Sequence, residues 1–357
     1  MPASPPHATQ LCALLSAVPD NPRELARLCE AVEDWTALFR LAADHAVAGV
    51  LLAEIVASGY ALSAEIVRGE RRIRMCEALF HDVLVRGLAD ALRVLAERGI
   101  EVVPLKGPIL AERYYPVPEH RPSTDLDLLV RVEDLERAVT ALTTLGYLLE
   151  GGSSGDYFRT HHHHVHLVHR TLPVVELHYH AYRGFGVTLL SGPLLDRAVP
   201  HSTARWSVST LSPEDELLYL ATHGASHRFE RLGWLYDIKL LVRAHPDLDW
   251  SLIAARAEAL GLGAILSLTC DLLARDFGVP RSWGDAIAPL GTLRTRATTL
   301  LLPSRENHAA NAAARFGFNT AFCYTPAIAA KSVARFLAIK IFNEIPRRIA
   351  RTLFDHT

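Results

Sequence analysis

The sequence predicts an α+β protein, a small mixed sheet flanked by helical N-terminal and C-terminal regions. Three observations lead there. Over most of the 357 residues apolar side chains recur at intervals of three and four, as in Leu25, Leu28, Cys29, Val32 and Trp35. Alternation with a period of two is confined to the centre, where Leu126 and Leu128 alternate with Asp125 and Asp127, and to the β-rich segment Val174 to Tyr182. Helix-length spacers such as Glu133 to Leu145 separate these short runs. The expected division is a helical region over 1–99, a sheet-containing core over 100–185 and a helical region over 186–357.

The N-terminal region reads as helical from Pro22 to Gly99, with His45 a partly buried helix residue. A long helix from about Ile73 to Arg98 carries Leu79, Val83, Leu84, Leu88, Leu92 and Leu95, and Gly99 suits its C-cap. Val102 and Val103 open a strand that ends at Leu105-Lys106-Gly107-Pro108, where glycine permits an unusual backbone angle and proline fits a first helical turn. A helix from Ile109 to Tyr115, a proline-broken loop and the strand Thr124 to Val130 follow. After the helix Glu133 to Leu145, Tyr147 to Leu149 can form a strand, and Gly151 to Gly155 reads as a surface loop rather than a phosphate cradle, since no helix follows it.

The histidine run His161 to His164, His166 and His169 and the segment Val174 to Tyr182 then read as a hairpin. Helices return after Pro193. Ser212-Pro213-Glu214-Asp215 marks a helix start, and Trp250 to Phe277 and Asp285 to Leu302 read as further helices. The tail Ala329 to Phe354 is a basic amphipathic helix by pattern, suited to docking on this chain or a partner.

Composition narrows the function. With a formal net charge of -2 there is no overall basic field to recruit nucleic acid, so a small substrate is favoured over a polynucleotide. The cysteines, Cys12, Cys29, Cys76, Cys270 and Cys323, are scattered and unpaired in spacing, which points to a reducing cytoplasm. The uncharged stretch Phe316 to Ala330 has 15 residues, short of the roughly 20 that span a bilayer. No transmembrane segment is expected.

The chemistry concentrates in the central strand. Asp125 and Asp127 stand two apart and so share one face, here expected to turn toward solvent. Two carboxylates about 5 Å apart repel by roughly 3 kcal/mol at an effective dielectric near 20, which a hard divalent ion such as Mg²⁺ relieves. In the returning strand Glu176, His178 and His180 share a face opposite Val175, Leu177 and Tyr179. Four consecutive histidines cannot all point one way in a strand, so His161 to His164 read as a polar strand with one or two useful imidazoles rather than a dedicated zinc site. His223 and His227 lie four apart on a helix and are therefore adjacent, but no glutamate stands between them as in a metalloprotease motif.

Taken together, Leu105-Lys106-Gly107, Arg121, Asp125-Leu126-Asp127-Leu128-Leu129-Val130, Val175-Glu176-Leu177-His178-Tyr179 and His223-Gly224-Ala225-Ser226-His227-Arg228, followed by Leu232, Trp234, Leu235 and Asp237, form a pattern. It resembles the DNA polymerase β-like nucleotidyltransferase superfamily, and within it the bacterial family of uncharacterised nucleotidyltransferases, in which Leu-Lys-Gly stands where other branches have Gly-Ser. The resemblance runs from about Trp35 to about Leu241. It implies an enzyme that moves an NMP, AMP before the others, from an NTP such as ATP to a small-molecule or protein hydroxyl, with Mg²⁺ or Mn²⁺ as cofactor. Asp125, Asp127 and Glu176 would be the catalytic metal ligands. Lys106, Gly107, Arg121, His223, His227 and Arg228 would meet the nucleotide, and His178 and Asp237 would serve the acceptor or hold other groups, Asp237 steadying a neighbouring histidine or arginine. Two other readings stay open: a non-catalytic nucleotide- or ligand-binding accessory protein on the same fold, and a histidine-rich metal hydrolase.

Overall fold

A computed structural model describes residues 7–150, 162–291 and 312–323. The Gly151 to Gly155 loop, His161, the part of the expected Asp285 to Leu302 helix beyond Gly291, and the basic tail Ala329 to Phe354 lie outside them.

Helices α1 (His7–Ala17), α2 (Pro22–Cys29), α3 (Trp35–Asp44) and α4 (Ala48–Ala57) precede a helix of 33 residues, α5 (Ala64–Ala96). Ser63 caps α5 through its hydroxyl, and Gly99, at φ +62, lets the chain leave in the left-handed region that glycine adopts without strain. Only its second half is a core helix: Leu84, Leu88, Ala91 and Leu95, at intervals of four and three, are buried, whereas Ile73, Met75, Leu79 and Phe80 are exposed. Leu79 therefore belongs to the outer face, although it fits the apolar repeat.

The chain next forms β1 (Val102–Pro104), α6 (Gly107–Tyr114), β2 (Asp125–Val130), α7 (Leu135–Thr143), β3 (Leu148–Leu149), β4 (His164–Val168) and β5 (Val174–His178). These strands make one mixed sheet of order β1-β2-β5-β4-β3, in which β2 and β5 run parallel and the other neighbours antiparallel. One face is apolar. Leu126, Leu128, Val130, Val175, Leu177 and Leu167 pack there with the buried residues of α5 and α7. Gly87 of α5 lies against the β4–β5 turn, where a Cβ would stand 3.2 Å from Pro173 Cδ.

Beyond β5 come the small hairpins β6 (His180–Gly184) with β7 (Val187–Leu190) and β8 (Val199–Ser202) with β9 (Ser207–Thr210), separated by α8 (Ser191–Asp196). The helices α9 (Pro213–Ser226), α10 (Leu232–Ala244), α11 (Trp250–Ala259), α12 (Gly263–Phe277) and α13 (Ala312–Ala321) complete the described residues. Asp285 begins no α-helix; a short 3-10 turn at Gly284–Ala286 runs into non-helical backbone through Pro289, which lacks the N–H a helix interior needs.

N-terminal and C-terminal helices share one core, with Leu11, Leu15, Phe39 and Leu51 packed in the same cluster as Leu218, Tyr236, Leu266 and Phe277. Lys239 of α10 joins the two directly. Its ammonium donates to the carbonyls of Leu15, Ser16 and Val18 at 2.8, 3.1 and 2.5 Å, around the end of α1, where helix carbonyls lack partners. Two further clamps tie the sheet side to this bundle. Arg113 and Tyr114 of α6 donate to Glu216 of α9 at 2.7 and 2.5 Å, and Arg121 donates to Asp237 of α10.

Candidate active site

The polar face of the sheet looks across a cleft toward α9 and α10. Strand alternation puts Asp125 and Asp127 on this face, and the parallel register sets Asp127 opposite Glu176. The antiparallel register of β4 and β5 adds His166 opposite Glu176 and His164 opposite His178. The Lys106-Gly107 turn and His223, His227, Arg231 and Trp234 also line the cleft. Gly107 stands at φ +65, a conformation costly for residues with a Cβ. Pro108 follows in the first turn of α6, as the sequence led us to expect.

Asp127 is buried at 3% exposure, not turned to solvent as its strand position alone led us to expect. Lys106 and His178 pack against it, and Tyr219 and His223 of α9 stand close enough to feel its charge. A buried carboxylate needs compensation. Lys106 Nζ lies 3.0 Å and His178 Nε2 3.1 Å from Asp127 Oδ1. Burial by itself raises the Asp127 carboxyl, but the Lys106 ammonium and the His178 hydrogen bond outweigh it and hold the group well below the usual carboxylate range. Asp125 goes the other way. Burial and the negative charge of Asp127 push it up to about 6. The two aspartates thus divide into one firmly ionised group and one poised near neutrality.

Glu176 also faces opposed influences. Burial raises it, yet hydrogen bonds from His166 and His178 bring it well below the ordinary range. His178 Nε2 lies 3.6 Å from Glu176 Oε2, so this imidazole stands between the two carboxylates. Burial lowers the His178 ring, but its bonds to Asp127 and Glu176 prevail and raise it, which favours the imidazolium. Asp127, Glu176 and His178 each present one ligand atom, all within 4.8 Å of one another. Two anionic oxygens at that spacing fit a divalent cation, which the His178 ring nitrogen can join only by releasing its proton. Asp125 lies outside this tight group but lines the same cleft.

A model of the family described as "Uncharacterised nucleotidyltransferase" matches residues 31–278, well over half of the chain. The chain belongs to that family. It is accordingly a nucleotidyltransferase, an enzyme of phosphorus transfer. No curated protein matches it.

Within the nucleotidyltransferase the other expected site residues separate into two sets. His223 of α9 and His227, the residue that caps the helix just beyond Ser226, do reach the cleft, with ring centroids 5.0 Å apart. Trp234 of α10 stands 5.5 Å from His223 and 4.9 Å from His227, completing an aromatic corner. Burial, reinforced by the charge of Lys106, keeps His223 well below its ordinary range and hence neutral. Arg121 lines the cleft, but its guanidinium is bound to Asp237 through Nε and Nη2 at 2.8 and 2.9 Å, and through Nη1 to Ser123 Oγ at 2.7 Å. It holds the loop before β2 in place.

Arg228 does not line the cleft. It is 2% exposed, on left-handed backbone at φ +56, with its guanidinium 3.2 Å from Glu230. Asp237 likewise points away from the histidines and the Arg228 segment, accepting from Arg121 and, at 2.7 Å, from the Tyr115 hydroxyl. The spacing of α10 turns Asp237 inward toward the sheet side, which proximity in sequence to Arg228 did not reveal. Gly224, in the last turn of α9, has a packing reason: a Cβ there would stand 2.5 Å from the Phe229 ring.

Sequence reasoning passed over Ser123 and Thr124, which line the approach to Asp125, and Glu150, whose carboxylate lies 3.0 Å from His166 Nδ1. A hydroxyl pair directly before an acidic strand was the available signal for the first two. Glu150 carried none.

Proposed function

We propose that this nucleotidyltransferase transfers a nucleoside monophosphate, AMP in the first instance, from an NTP to the hydroxyl of a small molecule or a protein. The observation that carries this reading is Asp127 opposite Glu176 on adjacent parallel strands, with Lys106 at the turn into α6, all in one cleft. Asp125, Asp127 and Glu176 would hold Mg²⁺ or Mn²⁺. When bound, such ions supply charge stabilisation at the attacking and leaving oxygens.

In the transfer the acceptor oxygen forms a bond to the α-phosphorus and the bond from that phosphorus to the pyrophosphate oxygen breaks. Glu176 would take the acceptor's proton; the hydrogen bonds from His166 and His178 keep it ionised and at the same time weaken it as a base. Lys106 and the backbone N–H groups at the start of α6 would meet phosphate oxygens. His178 would orient Asp127 and Glu176, and Arg121 with Asp237 would fix the loop that presents Asp125. Trp234, His223 and His227 offer ring faces to the base, each such contact worth about 0.5 to 1.5 kcal/mol.

The net charge of -2 favours a small or protein acceptor over nucleic acid. Free cysteines throughout the described residues suit a reducing, cytoplasmic setting, in which a biosynthetic role would fit; no helix among those residues is long and apolar enough to cross a membrane. The test is pyrophosphate release from each NTP against a panel of acceptors. We expect release that needs both a divalent ion and a hydroxyl acceptor, greatest with ATP. Absence of NTP binding in the presence of Mg²⁺ would overturn the reading.

A further inference from the structure

The β4–β5 hairpin sets beside Glu176 two histidines, His164 and His166, that nucleotidyl transfer does not use. We propose that His164, His166 and Glu176 form a second cation site, separate from the aspartates, that takes a transition ion of the zinc class. The antiparallel register brings the three side chains to one face. His164 Nε2 lies 2.9 Å from His166 Nε2, and His166 Nε2 lies 3.4 Å from Glu176 Oε1, so the three ligand atoms fall within a 4.8 Å group. Bonds of about 2.0 to 2.2 Å from one ion reach all three after small rotations.

An independent feature points the same way. His166 turns its other ring nitrogen, Nδ1, to Glu150 Oε2 at 3.0 Å. A carboxylate behind a histidine, fixing its tautomer and ring plane, is the usual outer partner of a metal-ligating imidazole. Access is open as well, since the His166 and Glu176 side chains are 40% and 24% exposed.

The donor set decides which ion. Two imidazoles and one carboxylate favour zinc-like ions, whereas magnesium wants oxygen ligands and water. Glu176 can serve both centres, with Oε1 toward His166 and Oε2 toward His178 and Asp127. The hairpin ion fixes the orientation of Glu176 and, with three protein ligands, keeps a position open for solvent or an acceptor oxygen. The site depends on the hairpin alone and stands or falls apart from the nucleotide reading.

The full chain, stripped of metal and without nucleotide, is titrated with Zn²⁺ against a chromophoric chelator, and with Co²⁺ followed by visible absorption. We expect one tight equivalent, weakened about 100-fold or more by His166→Gln or His164→Gln and about 10-fold by Glu150→Gln, the scale of an outer partner. Asp125→Asn should leave it within about threefold, and millimolar Mg²⁺ should not displace it. Circular dichroism confirms that each variant is folded. Unchanged zinc affinity in folded His166→Gln or His164→Gln would overturn the proposal. So would affinity lost in His162→Gln/His163→Gln but kept in Glu176→Gln, which marks adventitious binding by consecutive histidines, or displacement of zinc by Mg²⁺.

Discussion

Asp127 and Glu176 stand directly opposite each other on parallel strands, with the His178 imidazole 3.1 Å from the first and 3.6 Å from the second. Two acids far apart in sequence are thereby held at one point, with Lys106 3.0 Å from Asp127 supplying the second cation. The arrangement stores negative charge where a cation and a phosphate can meet it, without leaving either acid uncompensated.

Asp127→Asn should therefore cost activity far more than stability. Losing one anionic ligand removes several kcal/mol of charge stabilisation; about 4 kcal/mol is roughly a thousandfold in rate. The amide oxygen can still accept from Lys106 and His178, so stability should fall by about 1 to 3 kcal/mol in chemical denaturation. Asp125→Asn should also abolish transfer with a smaller stability loss, because Asp125 lacks the direct ion pair. Full activity in both variants would remove the aspartates from the centre.

Arg121 and Asp237 make a second prediction. They are 9% and 2% exposed, and the pair bridges 116 positions of sequence. Arg121→Met leaves the Asp237 carboxylate buried with only Tyr115 to donate to it, a change expected to cost about 3 to 5 kcal/mol. Adding Asp237→Leu should restore part of that loss, because the stranded charge is gone. Guanidinium unfolding of both variants checks it; a double variant less stable than Arg121→Met would contradict the argument.

Local signals were legible in the sequence and long-range partners were not. Gly107 and Pro108 announced the turn because backbone angles demand those residues, and alternation set Asp125 and Asp127 on one face. The same local logic found the Ser212 cap, whose hydroxyl accepts from the Asp215 amide. The meeting of Asp127 with Glu176 was expected from the family resemblance alone, since strand register is not encoded in spacing, and the parallel pairing of β2 with β5 bears it out. The pairing of Arg121 with Asp237 depends on how α10 packs and had no signal along the chain. Burial of Asp127 escaped for the same reason, since His178, Tyr219 and His223 stand far from it in sequence.

Acid should destabilise the protein through His81. This α5 residue is 5% exposed, and burial lowers its imidazole below the ordinary value despite the nearby Glu119. In the unfolded chain His81 takes a proton near pH 6.5, while the folded form resists it, so below about 6.5 the unfolded state binds more protons. Stability is then unaffected above that pH and falls as pH drops beneath it. Denaturation midpoints at pH 7.5 and 5 should differ more for the wild type than for His81→Gln, which has nothing to titrate. Equal differences would mean that His81 accepts its proton as readily folded as unfolded.

Lys106 gives the sharpest test of the cleft. Its ammonium is the cation nearest Asp127, and it sits at the turn where α6 presents its first backbone N–H groups. If it also meets the triphosphate, Lys106→Ala removes a charge-assisted contact worth about 1.5 to 3 kcal/mol, a loss of roughly ten- to a hundredfold in NTP affinity. Metal affinity in the free protein should not weaken, because the same change removes a competing cation from Asp127 Oδ1. Lys106→Arg should recover only part of the nucleotide affinity, since a planar fork cannot reproduce a compact point charge in the same turn. Calorimetric titration of ATP and of Mg²⁺ into the three proteins separates these effects. An unchanged ATP dissociation constant in the alanine variant would confine Lys106 to balancing the charge of Asp127.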